Sequence, residues 1–108
     1  MAKAKQVHCM TQNEEKNLAI SFSSLLGTGQ VLVGTPVVTA SPSGITITNK
    51  VVSIAELTLN SETVPIGEAV QFHVAAPTAA GTYTFTILCD DDESPAQTHE
   101  GEIILTVD

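Results

Sequence analysis

The feature that most constrains this chain is a strict period of two near its C-terminal end. In "GTYTFTILCD", Tyr83, Phe85, Ile87 and Cys89 fall on one side of an extended backbone, and Thr82, Thr84 and Thr86 fall on the other. Thirteen residues later the pattern resumes, with Ile103, Leu105 and Val107 on one side. Successive side chains of a strand point to opposite faces, so this alternation predicts two strands of a sheet with one face buried. A helix would scatter the same residues around its axis. The intervening residues 90–102, "DDDESPAQTHEGE", are almost all polar and contain Pro95 and Gly101, which predicts a solvated hairpin tip.

Further strands follow from the same reasoning. In residues 17–26, Leu18, Ile20 and Phe22 alternate with Ala19, Ser21 and Ser23. In residues 64–76, Val70, Phe72 and Val74 share a face, and His73 falls opposite them as a surface histidine. Pro36 interrupts "QVLVGTPVVTA" and removes a ladder donor, so that piece is an edge strand, a bulge or two strands. "SPSG" at 41–44 and the stretch 60–63 are turns, with "ITITN" and "VVSIAELTLN" as strand-like pieces between them.

Composition agrees. Fourteen threonines, eleven valines and eight isoleucines make up nearly a third of the 108 residues, and aromatics only 4%. Those β-branched side chains suit a pleated surface better than a helix. A chain of this length buries roughly two-thirds of its unfolded surface, enough for one domain without metal or disulfide staples. The expected fold is all-β, a single sandwich of about seven to nine strands spanning residues 17–108. Residues 1–16 lack a β-pattern and hold three of the four lysines, Lys3, Lys5 and Lys16, which predicts an N-terminal arm with those lysines as interface candidates.

The charge narrows the function classes. There is no arginine, and four lysines stand against twelve acids for a net charge of −8. Such a chain lacks the basic stripe that neutralises phosphates, so neither nucleic acid nor an anionic membrane is an expected partner. No apolar run reaches the ~20 residues that span a bilayer. "MAKAKQVHCMTQNEEKNLA" has positive charges without an apolar stretch behind them, so a cytoplasmic start is expected. Cys9 and Cys89 fit that setting, where a disulfide framework is disfavoured, and each reads as a small buried hydrophobe.

The familiar catalytic and metal motifs do not fit this sequence. The acids of "DDDESPAQTHEG" are adjacent, whereas a calcium loop needs them at alternate positions with a glycine sixth and a glutamate twelfth. His8, Cys9, His73, Cys89 and His99 lack the spacings of a zinc site. "GTGQVLVG" is not a phosphate-binding glycine motif, and a strand follows it. No nucleophile elbow is present. The expectation is a protein with no catalytic residue, no metal and no cofactor.

Two resemblances add to this reading. "APTAAGTYTFTI", with Gly81 before Tyr83, resembles the tyrosine corner of immunoglobulin-like sandwiches, in which the phenol reaches back to the backbone just upstream. Phe85 stands where antibody domains carry a cysteine. Over about 95 residues the chain also resembles small virion proteins of tailed bacteriophages, the fibre-tail adaptor and related Ig-like tail and neck proteins. Leu18, Ile20, Phe22 and Leu26, then Pro42 and Gly44, then Pro65, Gly67, Val70, Phe72, Gly81, Tyr83 and residues 105–107 carry the match. Ala76 and Pro77 replace that family's usual glycine pair, and the acidic tip is longer than its counterpart.

The resemblance implies an immunoglobulin-like fold and a non-enzymatic structural protein of the virion. It implies homo-oligomers, partners among other virion proteins, and assembly in a host cytoplasm. Two alternatives stay open: a head decoration protein with the same fold, and a glycan- or ion-binding Ig-like module.

Overall fold

A computed structural model describes residues 4–12, 14–27, 29–41, 44–59, 61–75 and 79–108. Nine strands run in chain order: β1 (Ala4–Met10), β2 (Glu15–Ser21), β3 (Leu32–Ser41), β4 (Thr46–Val52), β5 (Leu57–Leu59), β6 (Glu62–Val64), β7 (Ala69–Ala75), β8 (Gly81–Asp91) and β9 (Thr98–Val107). A single 3₁₀ turn, Ser23–Leu25, follows β2. The strands form a four-stranded sheet, β1-β9-β8-β3, a three-stranded sheet, β2-β7-β4, and a small β5-β6 ribbon.

The two main sheets pack face to face as a single β-sandwich, the fold class the alternation predicts. Neighbours β2-β7-β4 and β9-β8-β3 reproduce the B-E-D and G-F-C orders of the immunoglobulin arrangement. The core is built from inward rows: Leu18, Ile20 and Phe22 with Val70, Phe72 and Val74 on one side, and Tyr83, Phe85, Ile87, Cys89, Ile103, Leu105 and Val107 on the other, with Met10 of β1 and Leu32 and Val38 of β3 completing it. Phe72 and Phe85 meet across the gap with ring centroids 5.4 Å apart and planes at 53°. Each buried ring contributes roughly 1.5–3 kcal/mol by leaving water. Their tilted contact adds about 0.5–1.5 kcal/mol.

Local chemistry explains the irregular pieces. β3 is the edge strand that Pro36 predicts, and its register with β8 shifts between Val33 and Val37. Gly34 sits in that bulge at φ +80°, a conformation in which a side chain is strained. β5 and β6 form the hairpin expected around 60–63, with Ser61 at φ +65°. Asn60, Pro42, Ala76 and Pro77 lie outside the described residues.

Two expectations are corrected. Residues 4–10 do not stand off as an arm: β1 pairs in parallel with β9 over its whole length, from Ala4 opposite Gly101 to Met10 opposite Val107. Val7 points outward and His8 inward, while Met10 at its end is buried in the core, so the backbone ladder and that one side chain hold it. The acidic tip is also shorter than expected. β8 continues through Asp91 and β9 resumes at Thr98, leaving only residues 92–97 between them.

Candidate interaction surfaces and the acidic loop

Asp91 extends the inward row of β8 by one position beyond Cys89 and is fully buried. A lone buried carboxylate is costly, so its oxygens need partners. Oδ1 accepts the backbone N–H groups of Glu93 and Gln97, each at 3.0 Å, and Oδ2 lies 3.0 Å from Nε2 of His99. The Asp91 amide in turn donates to the Gln97 carbonyl at 2.9 Å. The Gln97 N–H holds the carboxyl below its ordinary range against the opposing effect of burial, with His99 and the Glu93 N–H adding to it. Asp91 is therefore the internal frame of the loop, a role its neighbours do not share. Asp92 binds the start of β3, its amide donating to the Val31 carbonyl at 3.0 Å and its Oδ1 accepting the Val31 N–H at 3.3 Å. Asp90, Asp92 and Glu93 are exposed. Among the described residues no group of three or more His, Cys, Asp or Glu side chains is placed to hold a metal ion.

The tyrosine corner takes the form its sequence suggests. Tyr83 is buried and its phenol donates to the Ala79 carbonyl at 2.9 Å. Gly81 opens β8 at φ +137°, with open space where a Cβ would stand, so the backbone angle alone calls for glycine. Phe85 and Phe72 are the paired core rings already described.

Two of the candidate interface lysines, Lys5 and Lys16, have partners within the chain. Lys5 lies opposite Glu102 in the ladder, with Nζ 3.8 Å from Oε1, an exposed pair contributing about 0–1 kcal/mol. Lys16 Nζ donates to the Cys9 carbonyl at 2.8 Å and ties β2 to β1. Lys3 lies outside the described residues. Between these strands His8 is half-buried, and its Nε2 meets no hydrogen-bond partner among the described residues. Burial lowers its pKa, the nearby Lys16 charge acts in the same direction, and a hydrogen bond with the Ala19 backbone opposes them.

Two hollows open on the outside. One, of about 200 Å³, lies on the three-stranded sheet and is lined by Asn17, Asn49, Val51, Gln71, Phe72 and His73. His73 lies on the outward face, as its place in β7 predicts. Both of its ring nitrogens are engaged, Nε2 at 2.9 Å from Glu15 Oε1 and Nδ1 at 2.8 Å from Asn17 Oδ1. This wall offers hydrogen bonds but holds no nucleophile. The second hollow, about 320 Å³, lies on the four-stranded sheet at the β3 bulge, among Val33, Gly34, Thr35, Val37 and Leu88. Cys89 passes beneath it, donating its thiol to the Val33 carbonyl at 3.6 Å. Burial pushes that thiol's pKa up, and the Asp90 charge adds to the effect.

Sequence reasoning missed the burial of Asp91 and the apolar outer corner. Both signals were present: the alternation running from Tyr83 puts residue 91 inward, and it puts Leu88 outward, in line with three threonines.

No protein-family model matches the chain, and no curated protein matches it. A solved structure described for glycolipid glycan hydrolysis, a family 123 glycoside hydrolase from Clostridium perfringens, is 10% identical over 96% of this chain, with a TM-score of 0.38. This chain spans only 23% of that enzyme's length. A likeness so remote carries no argument about activity.

Proposed function

We propose that this chain is a non-enzymatic structural protein of a tailed bacteriophage particle, a tail or neck component of the fibre-tail adaptor kind, acting through protein–protein contacts. The observation that carries the reading is the outer face of the four-stranded sheet, where Val7, Val33, Val37 and Leu88 remain exposed on a rigid sandwich. Apolar side chains gathered on one solvent-facing surface suit contact with another protein. The motif resemblance, from Leu18 through Gly81 and Tyr83, supports the same reading and supplies the virion setting. Its partners are other virion proteins, met during assembly in a host cytoplasm.

Head decoration would use the same sandwich at another position in the particle. A glycan-binding role is disfavoured because Phe22, Phe72, Tyr83 and Phe85, the chain's entire aromatic set, are buried and offer no plane to a sugar ring. The test is mass spectrometry of purified particles followed by labelling of the protein in electron micrographs. Stoichiometric presence with label at the tail or neck is expected. Label over the head would assign decoration instead, and absence from the particles would refute the virion role.

A further inference from the structure

In the β3–β8 ladder Val33 lies opposite Asp90 and Val37 opposite Leu88, so residues 34–36 of the bulge stand against Cys89 alone. The displaced backbone leaves the hollow of about 320 Å³, at the lower end of the ~300–1,000 Å³ that ligand pockets span. Its wall is apolar, made by Val33 and Val37 of β3 and Leu88 of β8, all three exposed. Its floor is tied down by the Cys89 thiol, which donates to the Val33 carbonyl. One charged side chain lines it, that of Asp90.

An apolar wall ending in a single carboxylate is complementary to an aliphatic cation. A neutral apolar guest would take water from Asp90 and give no hydrogen bond in return. An anionic guest would be repelled by Asp90, by Glu100 opposite Leu88, and by exposed Asp92 and Glu93 in the loop that follows. Among the described residues no cation pairs with Asp90.

Hydrogen bonding then separates the two long cationic side chains. Thr98 Oγ1 donates to Asp90 Oδ1 at 2.5 Å, so one carboxylate oxygen already has a donor. The guanidinium fork of arginine is matched to both oxygens at once, whereas the ammonium of lysine is a point charge that the other oxygen can meet. The dimensions agree. Leu88 and Asp90 are two residues apart on one side of β8, about 7 Å. A four-carbon lysine stem covers that span, its methylenes on the apolar wall and its head at the carboxylate. The hollow is open, and its rim of Val33 and Val37 stays in water around a free amine. The flank of a protein that carries the lysine would cover that rim.

We propose that this hollow seats a lysine side chain of a partner protein, with the stem on Val33, Val37 and Leu88 and the ammonium on Oδ2 of Asp90. The proposal rests on the reading of the chain as a component that works by protein–protein contact, and gives one such contact its chemistry.

Nuclear magnetic resonance of the methyl-labelled full chain, titrated with capped glycyl-lysyl-glycine at constant ionic strength, tests it. A lone side chain binds weakly, so the titration runs into the millimolar range. The methyl signals of Val33, Val37 and Leu88 should move along one saturating curve, and those of Val51 and Ile54 should stay still. The same peptide with norleucine, which keeps the stem and lacks the charge, should bind at least about tenfold more weakly, the loss of one charge-assisted hydrogen bond. The arginine peptide should fall between the two. Asp90→Asn keeps the shape and an acceptor for Thr98, and should lower lysine binding to the norleucine level with an unchanged circular dichroism spectrum. The comparison between peptides needs no variant to fold. Still methyl signals at the hollow, lysine and norleucine bound alike, or an Asp90→Asn chain that keeps its preference for lysine overturns the proposal. So do shifts confined to residues 92–97, which would mean general attraction of a cation to the acidic loop. A chain that ignores the lysine peptide yet is stoichiometric in particles would sink the lysine seat and leave the virion role standing; one that binds the peptide and is absent from particles would do the reverse.

Discussion

Gly101 offers the sharpest test of how the core is packed. It lies in the inward row of β9, opposite Ile87 of β8, and is buried. A Cβ built there would stand 2.8 Å from Cζ of Phe22, 3.0 Å from Cδ1 of Ile20 and 3.3 Å from Cε1 of Phe22. Carbon atoms in contact prefer about 3.5–4.0 Å, so a methyl group intrudes on the ring by most of an ångström. Neither neighbour has free space to yield, since Phe22 and Ile20 are both fully buried. Two effects oppose each other in Gly101→Ala. Replacing glycine in a strand stabilises by about 0.5–1 kcal/mol through the unfolded chain. Overpacking a dense core costs about 1–3 kcal/mol. Overpacking wins, and the expected net loss is about 0.5–2 kcal/mol, a fall in melting temperature of roughly 3–12 °C for a domain of this size.

Urea and thermal unfolding followed by far-ultraviolet circular dichroism would measure it. The double variant Gly101→Ala with Phe22→Leu isolates the cause. Phe22→Leu alone costs packing, but together the two changes should cost at least ~0.5 kcal/mol less than their sum, because the shorter side chain vacates the space the methyl needs. A Gly101→Ala protein as stable as the wild type, or costs that simply add, would refute the claim that Phe22 is what requires glycine at 101.

Three further outcomes are expected. Tyr83→Phe removes the phenol's hydrogen bond to Ala79 and should cost about 0.5–1.5 kcal/mol by urea titration with no change in spectrum. Acid should destabilise in two windows, because both affected groups have depressed folded pKa values and so bind protons more readily when unfolded. Stability linked to His8 is complete above 6.5 and is lost as pH falls below it. Stability linked to Asp91 is lost only below 3.8. A pH series of melting temperatures should show His8→Gln flattening the upper limb and Asp91→Asn the lower one. Finally, native protein at mildly alkaline pH should take up one iodoacetamide per chain, at exposed Cys9, and two once unfolded, because Cys89 is buried with its thiol pKa raised.

Most of the fold was legible because alternation and turn chemistry report on burial, and burial dominates a sandwich. The rows through Tyr83, Phe85 and Ile87 and through Ile103, Leu105 and Val107 lie where the period of two puts them. Pro36 marked an edge because a missing N–H is tolerated only there or at a bulge, and β3 has both features. Other elements were illegible for equally physical reasons. β1 is held by backbone pairing to β9 and by the buried side chain of Met10, and one inward apolar residue does not make a readable period of two. The burial of Asp91 depends on two amides and a histidine contributed by residues 93, 97 and 99, a convergence that exists only once the loop has closed. The need for glycine at 101 comes from the ring of Phe22, just past the end of β2 and nearly eighty residues away in sequence.

Several of the places where pattern failed lie on the four-stranded sheet. β1 turns His8 inward and leaves Val7 in water, and β8 breaks its outward threonine row with Leu88, while β3 presents Val33 and Val37 beside it. A sequence selected only to fold alone would favour polar residues at those outward positions, since an exposed apolar side chain adds nothing to the stability of the monomer and promotes association. The inward violations are of another kind. Asp91 is matched by partners on both oxygens, whereas His8 loses proton affinity under burial and leaves its Nε2 without a partner among the described residues. Of the seven large apolar side chains exposed among the described residues, four lie on the outer face of the four-stranded sheet, while Val51, Ile54 and Ile66 lie elsewhere. Local disagreement between sequence and isolated fold therefore singles out the outer side of β3 and β8, where Val33, Val37 and Leu88 stay in water, as the side of the sandwich that folding alone does not explain.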